Sequence, residues 1–390
     1  ILKPIEFHAE TGWKGSGAPF HGMAKATAIL QGAPGAGKSA ILGELKNRST
    51  AERAQARGQS RVVIFSSHDL LSDLPGVIEL VGLAGGLPPD GWRRFSSRLA
   101  LGIDLNVVRA EAAMFWTPVA AERPDSVLAL AQGFPATKWQ GPVIVAVDEA
   151  QRLPGDRHAP HALFLQAVHD GRSSLPLSLV LAGLGDAVAT AAEMDLTRPS
   201  VMEVGALSVE SDNDEAMELV LGFCGRFGVE SSGFEDSLAA LAAPCEGWPR
   251  HLHFACQALG RSVHATGGDL ACVNWKRVVR ETSESRLRYY RRQRSPEMKE
   301  ADVLTARVMR NLKDGMSWSA VAGLIEDGIE DRAGCRLPKD MSPERFLLHL
   351  VHRGALHERA DDTLHCPIPS FRRHLVDAGG LGRPSPPGPP

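Results

Sequence analysis

Eight consecutive residues near the start of the chain have the types and spacing that a phosphate-binding loop requires. Residues 32–39 read Gly-Ala-Pro-Gly-Ala-Gly-Lys-Ser and fit G-x-x-x-x-G-K-[ST] at every position. Glycine allows positive φ and leaves no side chain in the way of phosphate oxygens, so successive backbone N–H groups can point at one anion. The predicted nucleotide contacts are Gly32, Ala33, Pro34, Gly35, Ala36, Gly37, Lys38, Ser39 and Ala40.

The last two residues of the motif add a cation and a hydroxyl. Lys38 is expected to contact the β- and γ-phosphates, and the Ser39 hydroxyl to ligate a magnesium ion. The alternative is an ordinary strand-to-helix turn. An apolar strand is predicted before the motif and a helix after it, whose positive end would face the same anion. This setting favours the phosphate loop, and the predicted cofactors are ATP and Mg²⁺.

Two carboxylates follow another apolar segment further along the chain. Residues 143–149 read Val-Ile-Val-Ala-Val-Asp-Glu, which predicts a buried strand that ends at Asp148 and Glu149. We expect this strand to lie next to the strand before the phosphate loop and to bring Asp148 to the magnesium ion. Glu149 would then polarise the attacking water as a general base. The alternative is a solvated strand end.

The elements that must position these groups alternate between short apolar strands and helices. Such alternation is typical of a parallel sheet that helices cover on both faces, so the predicted fold class is α/β. Strands are predicted at 26–31, 61–65, 142–147 and 177–182, and helices at 39–48, 107–113, 126–132 and 161–168.

Beyond residue 207 the predicted elements are helices, followed by one hairpin-like stretch at 354–369 and a Gly/Pro/Ser-rich tail. A single core stops growing near ~250–300 residues, so this chain of 390 residues needs several domains. The predicted domains are a lead-in segment at 1–25, a P-loop ATPase domain at 26–206, a helical lid at 207–262, a basic helix with a winged-helix domain at 263–378, and a disordered tail at 379–390.

The composition is that of a globular protein without an extreme charge. Lys and Arg total 43 against 46 Asp and Glu, so the net charge of −3 excludes an overall basic coat but leaves room for one basic face. The six cysteines form no C-x-x-C pair and are expected to be free thiols. No signal-peptide pattern and no apolar run of ~18 residues is found. We expect a cytoplasmic protein without a membrane partner.

The motifs together resemble the AAA+ ATPases, in particular the bacterial ATPases grouped near the origin-recognition initiators and the transposon target-selection ATPases. The resemblance covers about residues 24–262 by motif, and the C-terminal region by its layout. It implies an AAA+ sheet domain with a helical lid, Mg-ATP hydrolysis and a homo-oligomer. The segments that carry it are Gly32–Ser39, Val143–Gln151, Leu179–Asp186, Leu196–Ser200 and Gly247–Arg250.

The resemblance also implies roles for two arginines. Arg198 stands where the family places a finger that reaches the ATP of a neighbouring subunit; the alternative is a surface arginine paired with Asp195 or Glu193. Arg250 stands where the family has a sensor arginine for the γ-phosphate of its own ATP; the alternative is a capping or surface arginine. One departure concerns the strand that ends at Ala182-Gly183, where the family has a polar sensor residue. Gln151 is a candidate substitute.

The C-terminal region carries most of the basic residues that could contact nucleic acid. Residues 273–294 contain eight lysines and arginines, and the two tyrosines of the chain, Tyr289 and Tyr290, lie among them. Basic residues with interleaved aromatics are typical of a nucleic-acid contact, whereas the alternative is a solvated helix face. Later helices and a hairpin resemble a winged helix. Its candidate contacts are Arg345, His349, Arg353, Arg359, Arg372 and Arg373.

Three functions fit these features. The first is a DNA-associated ATPase, bound to double-stranded DNA as a homo-oligomer, whose nucleotide state controls assembly or the recruitment of a partner. The second is a signal-transduction ATPase whose winged helix binds protein. The third is a binding module with an inactive ATPase site, which the missing polar sensor favours.

Overall fold

A computed structural model describes seven stretches of the chain, which form two compact units. The sheet unit contains the described residues of 6–31 and 38–203, and the helical unit contains Gly32–Gly37 and the described residues from Val204 onward. The predictions for the lead-in segment at 1–25, for helices at 107–113 and 126–132, and for the tail from 381 lie outside the described residues. The described stretches are 27–53, 61–85, 143–171, 177–210, 214–330, 335–359 and 362–380.

The sheet unit is built on a parallel sheet of five strands, which confirms the predicted α/β class. The elements of this unit are β1 (Thr27–Gln31), α1 (Lys38–Arg53), β2 (Arg61–Ser66), α2 (Ser67–Ser72), α3 (Leu74–Ala84), β3 (Val143–Asp148), α4 (Pro160–Gly171), β4 (Leu177–Gly183), α5 (Ala187–Glu193) and β5 (Ser200–Glu203). All four predicted strands are present, whereas β5 was not predicted. It is short and largely exposed, and it therefore lacks an apolar run.

The strand order corrects one prediction. It is β2-β3-β4-β1-β5, so β4 lies between β3 and β1, and the strand that ends at Asp148 is not next to the strand before the phosphate loop. Helix α1 packs against β2, β3 and β4 rather than staying above β1. The start of α1 therefore reaches the carboxyl end of β3 across the intervening strand.

The core of the sheet unit explains why its strands read as continuous apolar runs. Ile29, Val145 and Leu181 are fully buried in the centres of β1, β3 and β4. The inner faces of α3 and α4, including Ile78 and Leu165, pack into the same cluster. A strand buried on both faces gains about 1.5–3 kcal/mol for each large apolar side chain, which favours Val, Ile and Leu at every position.

The helical unit begins with three helices around a core of its own. Helix α6 (Glu215–Arg226) starts with the Asp214 side chain accepting from Met217 N–H at 2.8 Å. It packs with α7 (Glu235–Ala242) and α8 (Pro249–Ala265) around buried residues such as Leu252. Helix α9 (Trp275–Gln293) lies along α8 and leads into the rest of the unit.

The remaining elements surround a second core centred on Phe346 and Phe371. Three very short strands form an antiparallel sheet in the order β6-β8-β7, and the predicted hairpin is β7 with β8. Among the described helices, none is long and apolar enough to cross a bilayer. The elements are α10 (Pro296–Glu300), α11 (Asp302–Asn311), β6 (Met316–Ser317), α12 (Trp318–Glu330), α13 (Pro343–His352), β7 (His357–Glu358), β8 (Thr363–His365) and α14 (Pro369–Ala378).

Candidate functional site

The phosphate loop connects β1 to α1, and two of its glycines require the positive φ that the motif predicts. Gly35 has φ +82° and Gly37 has φ +103°. A Cβ at Gly35 would lie 2.7 Å from the Cβ of Arg250, so no side chain fits there. Ala33 and Ala36 are buried in the core of the helical unit. The small side chains of Ala33 and Ala36 therefore anchor the loop in this core. The positive φ angles of Gly35 and Gly37 are compatible with an anion nest.

Ser39 and Asp148 meet within the sheet unit at the start of α1. The Ser39 hydroxyl donates to Asp148 Oδ2 at 2.6 Å. The other carboxylate oxygen, Oδ1, accepts from Glu149 N–H at 2.9 Å, which fixes the plane of the carboxylate. A hydroxyl and a carboxylate are hard oxygen ligands of the kind that Mg²⁺ binds. The donor set therefore fits a magnesium ion, which Ser39 and Asp148 would hold.

Lys38, the first residue of α1, is half-buried beside this pair. Burial lowers the pKa of its ammonium group to about 8, and the charge of Asp148 partly offsets that effect. Desolvation disfavours the charged form of a buried ammonium group, and a further negative charge beside it would favour that form.

Glu149 follows β3 with a backbone φ of 57°, a left-handed conformation that is uncommon for a residue with a side chain. Its carboxylate pairs with Arg152 at 3.2 Å and is about half exposed. An exposed pair of this kind contributes little to stability and exchanges readily with other partners. Glu149 thus lies one residue beyond Asp148, and its carboxylate is engaged by Arg152.

The end of β4 lacks a polar side chain, and Gln151 occupies that place. Its Oε1 accepts from Leu184 N–H at 3.2 Å, and a Cβ at Gly183 would lie 3.0 Å from the same oxygen. Because Oε1 accepts this hydrogen bond, the Nε2 group of Gln151 is a candidate hydrogen-bond donor at the carboxyl end of β4. The lack of a side chain at Gly183 therefore leaves the space that the Gln151 side chain occupies.

The two arginines that the resemblance singled out lie in different units. In the sheet unit Arg198 is exposed, with φ 51°, and within the described residues it forms no ion pair with Asp195 or Glu193. In the helical unit the backbone N–H of Arg250 donates to Gly35 O at 3.1 Å. The Arg250 guanidinium carbon lies 5.2 Å from the centre of the Phe254 ring. The start of α8 thus lies directly against the phosphate loop.

Half of the six predicted winged-helix contacts are engaged inside the helical unit. Arg372 Nε donates to Met309 O at 2.7 Å, and Arg373 pairs with Glu246. His349 Nε2 lies 2.7 Å from the Ser295 hydroxyl, and burial lowers its pKa. Each of these three side chains therefore has a partner within the unit.

The remaining candidates leave one basic surface around α13. Arg345 and Arg353 are exposed at the two ends of this helix, and Arg359 lies half-buried just after β7. A cleft of about 320 Å³ runs beside Arg345 and is lined also by Lys339 and His352. On this surface the predicted nucleic-acid contacts Arg345 and Arg353 face solvent.

Helix α9 corrects the interpretation of the two tyrosines. Tyr290 is buried, and its hydroxyl donates to the Ser370 hydroxyl at 2.7 Å. Tyr289 donates to the Pro34 carbonyl of the phosphate loop at 2.7 Å. Neither ring is therefore presented for stacking with a base. Sequence reasoning missed the contact with the loop because it joins residues 255 positions apart, and no local signal reports it.

No family model and no curated protein matches the chain, whereas solved structures do. The ORC2 protein of Aeropyrum pernix, in its ADPNP–ADP complexes, is 15% identical with a TM-score of 0.51, and the match covers 92% of this chain and 88% of that chain. The Walker-type ATPase PABY2304 of Pyrococcus abyssi is 17% identical, with a TM-score of 0.48 and coverage of 90% and 91%. The ORC1 protein of Aeropyrum pernix in complex with DNA is 13% identical, with a TM-score of 0.36 and coverage of 91% and 86%.

The sheet topology and the likeness to ORC2 define the class of the fold. The five-stranded parallel sheet has a phosphate loop after β1 and an acidic strand end after β3, and the chain shares its overall fold with ORC2. The predicted α/β class with a parallel P-loop sheet is therefore confirmed, whereas the winged-helix domain stays a prediction.

Proposed function

We propose that this chain binds Mg-ATP in the loop Gly32–Ser39 and hydrolyses it. The observation that carries the proposal is the hydrogen bond from Ser39 to Asp148, at 2.6 Å. It unites the hydroxyl of a glycine-rich phosphate loop with the carboxylate of a second strand, which is the pair that a nucleotide-bound magnesium ion requires. The position of Lys38 beside Asp148, where burial lowers the pKa of its ammonium group to about 8, supports the same assignment.

Each residue of the site has a distinct role in this mechanism. The backbone N–H groups of the loop and the Lys38 ammonium bind the phosphates. Ser39 and Asp148 would hold a magnesium ion, which would supply positive charge beside the phosphates. Glu149 accepts a proton from the attacking water once it has left Arg152. Gln151 Nε2 helps to orient that water. Arg250 contacts the γ-phosphate, and Arg198 reaches the nucleotide of a neighbouring copy.

We further propose that the nucleotide state controls assembly of a homo-oligomer on double-stranded DNA. The exposed cations around α13 support a phosphate-backbone contact, and Arg288, Arg291 and Arg292 near the end of α9 add exposed positive charge. The alternative is a signal-transduction ATPase that uses the same surface for a protein. The internal engagement of Arg372, Arg373 and His349 favours that alternative, because it leaves fewer cations for DNA.

ATP turnover by purified protein tests the catalytic assignment. Glu149→Gln should still bind Mg-ATP but lose its turnover by a factor of about 10²–10⁴, the typical contribution of a general base. Asp236→Asn, which changes an exposed carboxylate of α7, is the matched control and should match wild type. Equal rates in wild type and Glu149→Gln reject the role of Glu149. If wild type does not bind Mg-ATP at all, the proposed function is wrong.

Binding of duplex DNA across salt concentrations tests the interface. Each phosphate contact contributes about 0.9 to the slope of log affinity against log salt, so the double variant Arg345→Ala/Arg353→Ala should lower that slope by about 2. Arg226→Ala, at an exposed position in the last turn of α6, serves as the control. An unchanged slope in the double variant, or no DNA binding by wild type, favours the protein-binding alternative.

A further inference from the structure

The outer side of the phosphate loop is held by polar groups of the helical unit. The hydroxyl of Tyr289, on α9, donates to Pro34 O at 2.7 Å. The backbone N–H of Arg250, at the start of α8, donates to Gly35 O at 3.1 Å. Both acceptors are carbonyl oxygens of adjacent peptide groups in the loop. The loop is therefore fixed by two contacts that its own sequence does not contain.

These contacts set the direction of the donors that a phosphate would meet. A trans peptide is planar, and its C=O and N–H point in opposite directions. Fixing the carbonyl of Pro34 therefore fixes the N–H of Gly35. Fixing the carbonyl of Gly35 fixes the N–H of Ala36, which closes a turn by donating to Ala33 O at 3.2 Å. In an anion nest the N–H groups point inward while the carbonyls point outward. Tyr289 thus acts on the Gly35 N–H, a candidate phosphate donor, through the far side of the same peptide group.

The surroundings of Tyr289 make this hydrogen bond persistent. Its hydroxyl lies 3.1 Å from the position that a Cβ at Gly35 would take, and the indole nitrogen of Trp248 lies 3.2 Å from the same position. Trp248 is buried, and its indole N–H faces the Tyr289 hydroxyl as a hydrogen-bond donor. Burial also raises the pKa of the Tyr289 hydroxyl far above its ordinary value. The hydroxyl therefore remains a protonated donor throughout the physiological range.

We propose that Tyr289 is a positioning residue of the nucleotide site and that it links nucleotide affinity to the docking of α9 against the loop. The inference rests on the proposed function, since it requires a nucleotide in the loop. Its consequence is reciprocal: whatever shifts α9 changes nucleotide affinity, and nucleotide binding stabilises the docked α9 by the same free energy. Helix α9 carries Arg288, Arg291 and Arg292 on its exposed side, so a ligand of those cations can act on the phosphate loop.

The variant Tyr289→Phe removes the hydroxyl and keeps the ring. We expect it to raise the dissociation constants for Mg-ADP and Mg-ATP about fivefold, the ratio that one net hydrogen bond provides. KM should rise by the same factor while kcat stays near wild type, because the bond acts on the bound phosphates before and during reaction alike. Unchanged affinity in Tyr289→Phe overturns the proposal.

Tyr290→Phe is the matched control on the adjacent position of the same helix. It removes an equally short hydrogen bond, to Ser370, that does not involve the loop. It should lower the thermal midpoint but leave nucleotide affinity unchanged. If both variants weaken nucleotide binding equally, the effect is a general loss of packing and the proposal is wrong. If wild type binds no nucleotide, the proposed function itself fails, which is a distinguishable result.

Hydrogen exchange provides a readout of the coupling in the full chain. In wild type, Mg-ADP should slow amide exchange in residues 286–293 of α9 as well as in the loop. In Tyr289→Phe at saturating Mg-ADP, the loop should remain protected while the slowing in α9 is reduced. Protection of α9 that persists unchanged in this variant contradicts the link between the two.

Discussion

Lys38 shows how a single charge in the loop is set by its neighbours. Its pKa is lowered by burial to about 8, and Asp148 supplies the attraction that keeps it from falling further. An ammonium group with this pKa is mostly charged at neutral pH and mostly neutral one or two units above. A bound polyphosphate would raise the pKa again, so the proposed nucleotide binding would require the uptake of a proton above pH 8.

The affinity for Mg-ADP is therefore predicted to fall as the pH rises through 8. The lowered pKa belongs to the free protein, so the charged form needed for binding is present below pH 8 and is lost above it. Between pH 7 and pH 9 the dissociation constant should rise about tenfold. Titration calorimetry at several pH values measures this change. Lys38→Arg is the control, because a guanidinium stays charged and should flatten the dependence; a flat profile in wild type contradicts the assignment.

At the scale of elements, the end of α11 depends on a side chain of α14. The last carbonyls of a helix lack partners within the helix. Arg372 donates to two such groups, to Met309 O at 2.7 Å through Nε and to Leu312 O through its terminal nitrogen. This explains why an arginine that the sequence offered as a DNA contact is half-buried in the structure.

Arg372→Met is predicted to lower the free energy of unfolding by about 1–2 kcal/mol, since two charge-assisted hydrogen bonds are lost from a partly solvated site. Methionine keeps an apolar stem of similar length. Urea unfolding followed by circular dichroism measures the change, and Lys299→Met, at an exposed position of α10, provides the comparison. The DNA affinity of Arg372→Met should match wild type at temperatures where both are folded. A loss of DNA affinity without loss of stability would reverse the assignment.

At the scale of the whole molecule, stability depends on a histidine buried without charge. His251 is completely buried near the rings of Tyr289 and Tyr290, at centroid distances of 6.0 Å and 5.4 Å. Burial lowers its pKa to about 4, and the positive charge of Arg286 acts in the same direction. The unfolded chain therefore binds a proton near pH 6.5 that the folded chain accepts only near pH 4.

Acid should therefore destabilise the fold in a defined window. The contribution of neutral His251 to the free energy of unfolding is fully present above pH 6.5 and is lost as the pH falls from 6.5 to about 4. At 1.36 kcal/mol for each unit of pKa shift, this loss corresponds to roughly 3 kcal/mol. Unfolding free energies of wild type and His251→Gln at pH 7, 5.5 and 4 measure it. The difference between the two proteins should shrink by that amount toward pH 4. A constant difference would show that His251 does not titrate in this window.

Much of the candidate site could be located from the sequence, because it depends on short segments. The loop Gly32–Ser39 and the strand ending at Asp148 each carry their own signal, namely the glycines that permit positive φ and the apolar run that a buried strand requires. The predicted strands agree with the observed ones to within one residue at most ends, as in β4, predicted at 177–182 and observed at Leu177–Gly183.

Other features depend on contacts between segments far apart in the chain, and only the tertiary structure decided them. The position of β4 between β3 and β1, the use of Arg372 as a helix cap and the bond from Tyr289 to Pro34 leave no trace in local composition. An arginine or tyrosine has the same intrinsic preferences whether it faces solvent, a helix end or a phosphate loop. Backbone conformation and apolar burial are recorded locally along the chain, whereas the partner of a long polar side chain is chosen by which elements the packing brings within about 3 Å of it.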